Sequence, residues 1–157
     1  MKKFFLLIVV LCNSATASGE SFGRGGISFN YPGVGMRYVF KKNIVELKYQ
    51  KVKDDYETTL YGLRYYRLLH LKNIFPYFGG ELGIFNTSET KGVEDASGRA
   101  VGVFIGVEKF IFKKFSVNMD IGPYIAVVDK PGKNSISVNE FDFVLNISIN
   151  FYFLKNK

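Results

Sequence analysis

The sequence of 157 residues has a single cysteine, Cys12, a single histidine, His70, and no tryptophan. One cysteine cannot form a disulfide within the chain. A zinc or similar centre built from cysteine and histidine needs several of these residues. We therefore expect a fold with no disulfide and no Cys/His metal site, in which carboxylates are the only remaining metal ligands.

Long apolar runs are also missing, because the stretch FFLLIVVLC (4–12) is far shorter than the roughly 20 residues of a membrane-spanning helix. Lys2 and Lys3 precede this stretch, and the small residues of an A-x-A site, Ala15 and Ala17, follow it, as in a secretory signal peptide. We predict a signal peptide over residues 1–17 and one domain over residues 18–157. A lipid anchor on Cys12 is the alternative, but the bulky Leu11 before it argues against one.

The positive charge is modest. The formal net charge is +7, and removal of the signal peptide takes away Lys2 and Lys3. For an exported, mildly basic chain we expect no nucleic-acid partner, and an acidic surface glycolipid is the better candidate.

No segment after the signal peptide shows a helical period, whereas alternation of apolar and polar residues recurs along the chain. In NEFDFVLNISINFYF (139–153), phenylalanine, leucine and isoleucine alternate with glutamate, aspartate, asparagine and serine. Seven such strands are clear, and a weaker first one either stands alone or continues into its successor. The predicted strands cover residues 26–31, 34–40, 45–50, 56–67, 75–86, 98–110, 116–128 and 139–153.

The connections alternate between short basic turns and more polar, longer loops, which is typical of an antiparallel up-and-down meander. Parallel strands would need crossover segments, so the pattern excludes βαβ architecture. Both termini are expected at the short-turn end. Pro123 lies inside a predicted strand, where we expect a β-bulge.

Alternation fits both a soluble exported barrel that carries an apolar ligand and a membrane barrel with an apolar outside. The polar faces mix small residues with charges of both signs, as expected for a packed interior in which charges pair. This favours the membrane barrel. The predicted lumen charges are Arg37, Glu46, Lys48, Arg64, Glu81, Glu108, Asp120, Glu140 and Asp142.

The apolar faces of the last four strands have no ionisable residue at their central positions. A charge there would cost about 2 to 4 kcal/mol in mid-bilayer, which favours contact with lipid. Aromatic residues near the strand ends predict an interfacial girdle: Tyr38, Phe40, Tyr65, Phe75, Phe110, Phe115, Phe151 and Phe153.

The segments PGVGMRYVF, FPYFGGELGIF, VGVFIGVEKFIFKKFSVNMDIGPY and the last strand resemble the small eight-stranded outer-membrane β-barrel proteins of Gram-negative bacteria. The resemblance covers most of the chain after residue 17. It implies an all-β, antiparallel transmembrane barrel in the outer membrane. Its implied partners are outer-membrane lipid, lipopolysaccharide and the barrel-assembly machinery, and it implies a monomer.

Some barrels similar in size are lipid A deacylases or acyltransferases, and the deacylases use a His-x-Ser pair. Here Lys72 stands two positions after His70, and His70 lies in a short basic turn. Glu140 and Asp142 have the spacing of a metal or acid pair, but pairing with lumen cations is the simpler interpretation. We expect no catalytic residue, metal or cofactor, and keep a lipid A-modifying enzyme as the alternative.

Five cations lie at or near the longer loops: Lys51, Lys53, Arg99, Lys130 and Lys133. They form either a solvated rim or a contact with lipopolysaccharide phosphates. The sequence thus predicts a barrel with a plugged polar lumen and a role in envelope integrity, adhesion or lipopolysaccharide contact.

Overall fold

The computed structural model describes residues 25–53, 56–69, 71, 74–89, 96–129 and 138–153. Every strand pairs antiparallel with its neighbours in sequence, and the last pairs with the first to close a barrel. The predicted eight-stranded up-and-down barrel is confirmed, with a separate first strand. The strands are β1 Gly25–Asn30, β2 Gly33–Phe40, β3 Asn43–Lys53, β4 Tyr56–Leu68, β5 Phe75–Glu89, β6 Ala96–Phe112, β7 Phe115–Asp129 and β8 Val138–Phe153.

The alternation in the sequence becomes an inside and an outside. On β8, Ser148 and Asn150 are buried while Ile149 and Phe151 between them are exposed. Among the described side chains, burial follows the predicted faces on all eight strands, except at Asp142 of β8. The polar face is the buried one, which inverts the arrangement of a water-soluble protein. None of the described residues forms a helix long and apolar enough to cross a bilayer.

The two ends of the barrel differ. Residues 41–42, 69–74 and 113–114 connect strands at one end, which we call the turn end. Residues 31–32, 54–55, 90–95 and 130–137 connect them at the other, the loop end. Gly25 at the start of β1 pairs with Phe153 at the end of β8, so both ends of the barrel chain lie at the turn end, as predicted.

An apolar cluster fills the barrel near the turn end. Phe75 and Phe110 were predicted in the outer girdle, and this is wrong: Phe75 is buried, and its ring meets that of Phe110 edge-to-face at 5.6 Å. Phe75 is an even number of residues from Tyr77 and Glu81, which point inward, so it lies on the same face of β5. The buried members of the cluster are Val39, Ile44, Tyr66, Leu68, Phe75, Tyr77, Phe104 and Tyr152.

Pro123 does not produce the expected bulge. It pairs with Phe143 in an uninterrupted β7–β8 ladder. On the β6 side the ladder skips the residues opposite Pro123 and resumes in the same register. The missing N–H is thus accommodated by a gap in the pairing, without an inserted residue. The register shift between β6 and β7 lies instead at Phe110 and Phe112, beside the turn.

Candidate functional site

Seven ionisable side chains meet in the middle of the barrel, and we call them the lumen network. Each comes from an inward position of an alternating strand, and none is more than 5% exposed. The cations come from β2, β3 and β4, and the acids come from β3, β5, β6 and β7. The members are Arg37, Lys48, Arg64, Glu46, Glu81, Glu108 and Asp120.

Arg37 joins opposite walls of the barrel. Its Nη2 lies 3.3 Å from Oε2 of Glu108 on β6, a strand that is not adjacent to β2. Its Nε lies 3.7 Å from Oε2 of Glu46 on the neighbouring strand. The guanidinium also donates to the Tyr66 hydroxyl and lies 5.2 Å from the centroid of that ring. Charge pairing and ring contact together hold Arg37 across the bore.

Arg64 is the second junction. Its Nη2 lies 2.9 Å from Oδ2 of Asp120, and its Nε lies 3.2 Å from Oε2 of Glu81. These are ion pairs without the alignment of hydrogen bonds. The guanidinium also lies over the Phe104 ring, 4.0 Å from its centroid. The apolar cluster thus contacts this cation of the lumen network directly, through Phe104.

Lys48 reaches Glu81 over Gly62. The Nζ of Lys48 lies 3.6 Å from Oε1 of Glu81 and donates to Oδ1 of Asn146 at 3.3 Å. Gly62 lies in register with Lys48 on the intervening strand, and a Cβ there would lie 2.8 Å from the Glu81 carboxylate. A larger residue at position 62 would therefore displace the acid from its cation.

Hydroxyl and amide groups donate further hydrogen bonds to the acids. Glu108 accepts hydrogen bonds from Tyr152 at 2.6 Å and from Ser116 at 2.5 Å. Asp120 accepts from Tyr77 and from Asn146, each at 2.9 Å. The four acids outnumber the three cations, and these neutral donors help to stabilise the additional negative charge.

These donors were not predicted from the sequence. Four of them are tyrosines on the inward, polar faces of the strands: Tyr66, Tyr77, Tyr124 and Tyr152. A tyrosine on the polar face of an alternating strand was the available signal, because a buried hydroxyl needs a partner. Tyr124 illustrates this, since it donates to Oε2 of Glu81 at 2.7 Å.

One predicted member lies outside the network, and another has a side chain that the structure does not describe. Asp142 has an exposed side chain, and its Oδ1 accepts from its neighbour's backbone, N of Phe143, at 2.7 Å. Its position toward the loop end of β8 leaves the carboxylate in water, which corrects the prediction. Glu140 belongs to β8, but its side chain lies outside the described part of the structure.

The outer wall is apolar between two levels of cations. On β6, Arg99 and Lys109 take outward positions ten residues apart, and exposed valine and isoleucine occupy the outward positions between them. Ten residues at about 3.3 Å each, tilted by roughly 40°, span about 25 Å along the barrel axis. An apolar band about 25 Å tall is typical of outer-membrane barrels.

The predicted rim cations differ in their contacts. Lys51 is paired with Glu57 across the β3–β4 hairpin, with Nζ 2.6 Å from Oε1. Lys53 and Arg99 are exposed, and no described residue forms an ion pair or hydrogen bond with the guanidinium of Arg99. Lys130 and Lys133, like His70, lie outside the described residues. Among the described residues, no cluster of three or more His, Cys, Asp or Glu side chains has a geometry suited to a metal ion.

A closed antiparallel barrel of eight strands, apolar outside and polar inside, is the fold of the small outer-membrane β-barrels. The N-terminal β-barrel domain of Pseudomonas aeruginosa OprF superposes with a TM-score of 0.61 at 10% identity, covering 83% of this chain and 98% of that domain. Neisserial surface protein A superposes with a TM-score of 0.56 at 16% identity, covering 82% and 92% of the two chains. No family model and no curated sequence matches this chain. The likeness in fold that the sequence predicted is confirmed.

Proposed function

We propose that this chain is an integral outer-membrane barrel with a plugged lumen, whose role is structural or interactive at the cell surface and not catalytic. The observation that carries the proposal is the inverted wall. Ile105 is 67% exposed on the outside, while Arg64 on the inside is 0% exposed. Such a surface requires an apolar medium, and a bilayer provides one.

The filled bore favours a structural or surface role over transport. The apolar cluster occupies the turn end, and the lumen network occupies the middle. Arg37 and Glu108 connect opposite walls through the centre. Side chains fill the interior of a barrel of eight strands, so no continuous water path is expected.

The ends of the barrel suggest its orientation. Outer-membrane barrels have short turns on the periplasmic side and longer loops outside the cell. By this rule the loop end faces outward, with rim cations Lys51, Lys53, Arg99, Lys130 and Lys133. Adhesion, envelope integrity and contact with lipopolysaccharide are all compatible with such a rim.

The geometry gives less support to the two alternatives. A soluble carrier of an apolar ligand needs an apolar interior, whereas the middle of this barrel contains paired charges. A lipid A-modifying enzyme needs its base at the outer leaflet, and the connection that contains His70 starts after Leu68, at the turn end.

Expression in a Gram-negative host and membrane fractionation test the proposal. We expect the chain in the outer membrane, with different gel mobilities before and after boiling. Planar bilayers should show no stable conductance steps, and the mass spectrum of the host's lipid A should be unchanged. Recovery in the soluble periplasm would contradict the location, stable steps would contradict the plugged lumen, and a lost or gained acyl chain would favour the enzyme.

A further inference from the structure

A shallow groove of about 790 Å³ crosses the outer wall, between two rows of outward side chains. The row nearer the loop end follows the strand register from β2 to β6: Val34, Tyr49, Tyr61, Ile84 and Arg99. The second row lies two residues closer to the turn end: Met36, Leu47, Leu63 and Leu82. Between the rows the floor includes the backbone of Gly62, Gly83 and Ala100.

The dimensions of the groove match one hydrocarbon chain. Five strands at about 4.8 Å spacing give it a length of roughly 19 Å, and two residues along a strand give a width of about 7 Å. The Tyr49 and Tyr61 rings stand side by side along one wall, with centroids 5.4 Å apart. Leu47 and Leu63 face them from the other wall, so a chain lying in the groove contacts apolar groups on both sides.

Arg99 ends the row nearer the loop end. Its neighbours in register are Ile84 and Val127, both apolar, and no described residue accepts a hydrogen bond from its guanidinium. An exposed guanidinium on an apolar wall needs an anion as partner, and its planar fork suits the oxygens of a phosphate. The next outward row toward the loops is polar and contains Lys51 and Asn86. Arg99 therefore lies at the boundary where lipid headgroups begin.

We propose that this groove binds the lipid A part of lipopolysaccharide, with a phosphate on Arg99 and one acyl chain along the Tyr49–Tyr61 wall. The proposal rests on the proposed location and orientation, because the loop end then lies in the outer leaflet. Charge complementarity selects a phosphorylated lipid, and the apolar groove that starts at the cation selects one with its acyl chain beside the phosphate. The groove lies on the outer face of the wall, whereas the side chains of the lumen network lie on its inner face.

The test uses the chain purified from membranes in mild detergent and titrated with diphosphoryl lipid A, followed by native mass spectrometry. Arg99→Gln should weaken binding by about tenfold or more, as expected for loss of a charge-assisted contact. Arg99→Lys should lose less, since the charge remains. Leu82→Trp should also weaken binding, because the indole occupies the groove without changing the charge.

Arg67→Gln is the matched control, because Arg67 is an exposed cation at an outward position of β4 near the turn end. It should bind like the parent chain. Lipid A without phosphates should bind the parent as weakly as diphosphoryl lipid A binds Arg99→Gln. The gel mobility of each variant before boiling shows that it is folded.

Equal affinity of the parent and Arg99→Gln would overturn the proposal, as would an equal loss in Arg67→Gln. Phosphatidylglycerol that binds as tightly as lipid A, with the same dependence on Arg99, would overturn the assignment to lipid A. In either case a chain found in the outer membrane leaves the proposed function standing. A chain absent from the outer membrane fails the proposed function whatever it binds in detergent.

Discussion

At the scale of single residues, Arg64 is the member of the lumen network whose loss should matter most. Two carboxylates from different strands, Glu81 and Asp120, lie within 3.2 Å of its guanidinium, and the side chain is fully buried. Removing a partner from a buried ion pair leaves an uncompensated charge, which costs more than the pair itself contributes.

We predict that Arg64→Ala lowers the free energy of unfolding by about 3 to 5 kcal/mol. Arg67→Ala, three residues along the same strand but exposed, should change it by less than about 0.5 kcal/mol. Urea unfolding in detergent micelles, followed by far-ultraviolet circular dichroism, measures both, since the chain has no tryptophan to report by fluorescence. Equal unfolding midpoints for the two variants would show that Arg64 is not part of a buried network.

The sequence predicts which charges are inside but not which of them pair. Arg37 and Glu46 lie opposite each other on adjacent strands, so the register alone brings them together. The contact between Arg37 and Glu108 crosses the bore between strands that are not neighbours. That contact depends on the tilt and closure of the whole barrel, which no local pattern specifies.

At the scale of the strand, the odd or even position of a residue, its parity, specifies which side of the wall its side chain faces. Each strand has one face for the lumen and one for the outside, and a step of one residue exchanges them. On β8 the outward Leu145 is 51% exposed and pairs with Ile121 of β7, which pairs in turn with Ile105 of β6. These three residues form part of the apolar band at the middle of the outer wall.

A charge in this band should oppose membrane insertion. We predict that Leu145→Arg destabilises the inserted barrel by about 2 to 4 kcal/mol and reduces its yield in the outer membrane. Asn86→Arg places the same side chain in the polar row near the loop end, where the cost should fall to about 0 to 1 kcal/mol. Immunoblots of outer-membrane fractions compare the two variants, and equal yields would argue against a lipid-facing Leu145.

Three of the predictions made from the sequence fail, each for a different physical reason. Phe75 and Phe110 were assigned to the girdle by their nearness to strand ends, although the parity of Phe75 places it inside. Pro123 was expected to insert a residue, yet the ladder tolerates its missing donor as a local gap. Asp142 has an inward position, but the barrel is open to water at that level. Alternation specifies the side of the wall, whereas depth along the axis requires the closed structure.

At the scale of the whole molecule, closure depends on the shortest strand. β1 has 6 residues and pairs with β2 on one side and with β8 on the other. Without the β1–β8 pairing the sheet would have two open edges, each with unpaired backbone groups that lipid cannot satisfy. The first strand, whose alternation in the sequence is the weakest, is therefore the element that completes the barrel.

Cross-linking tests this seam directly, because Cys12 is the only natural cysteine. Ile27 and Phe151 are partners in the β1–β8 ladder. Directly opposed residues in antiparallel strands have Cα atoms about 4.5 to 5.5 Å apart, a distance that suits a disulfide. Ile27→Cys combined with Phe151→Cys should form an intramolecular disulfide on mild oxidation, which makes the boiled chain migrate faster until it is reduced. Ile27→Cys combined with Phe141→Cys is the control, since ten residues of strand separate Phe141 from Phe151 by about 33 Å. Cross-linking in both pairs, or disulfide-linked dimers in place of the internal bond, would mean that β1 does not close the barrel on β8.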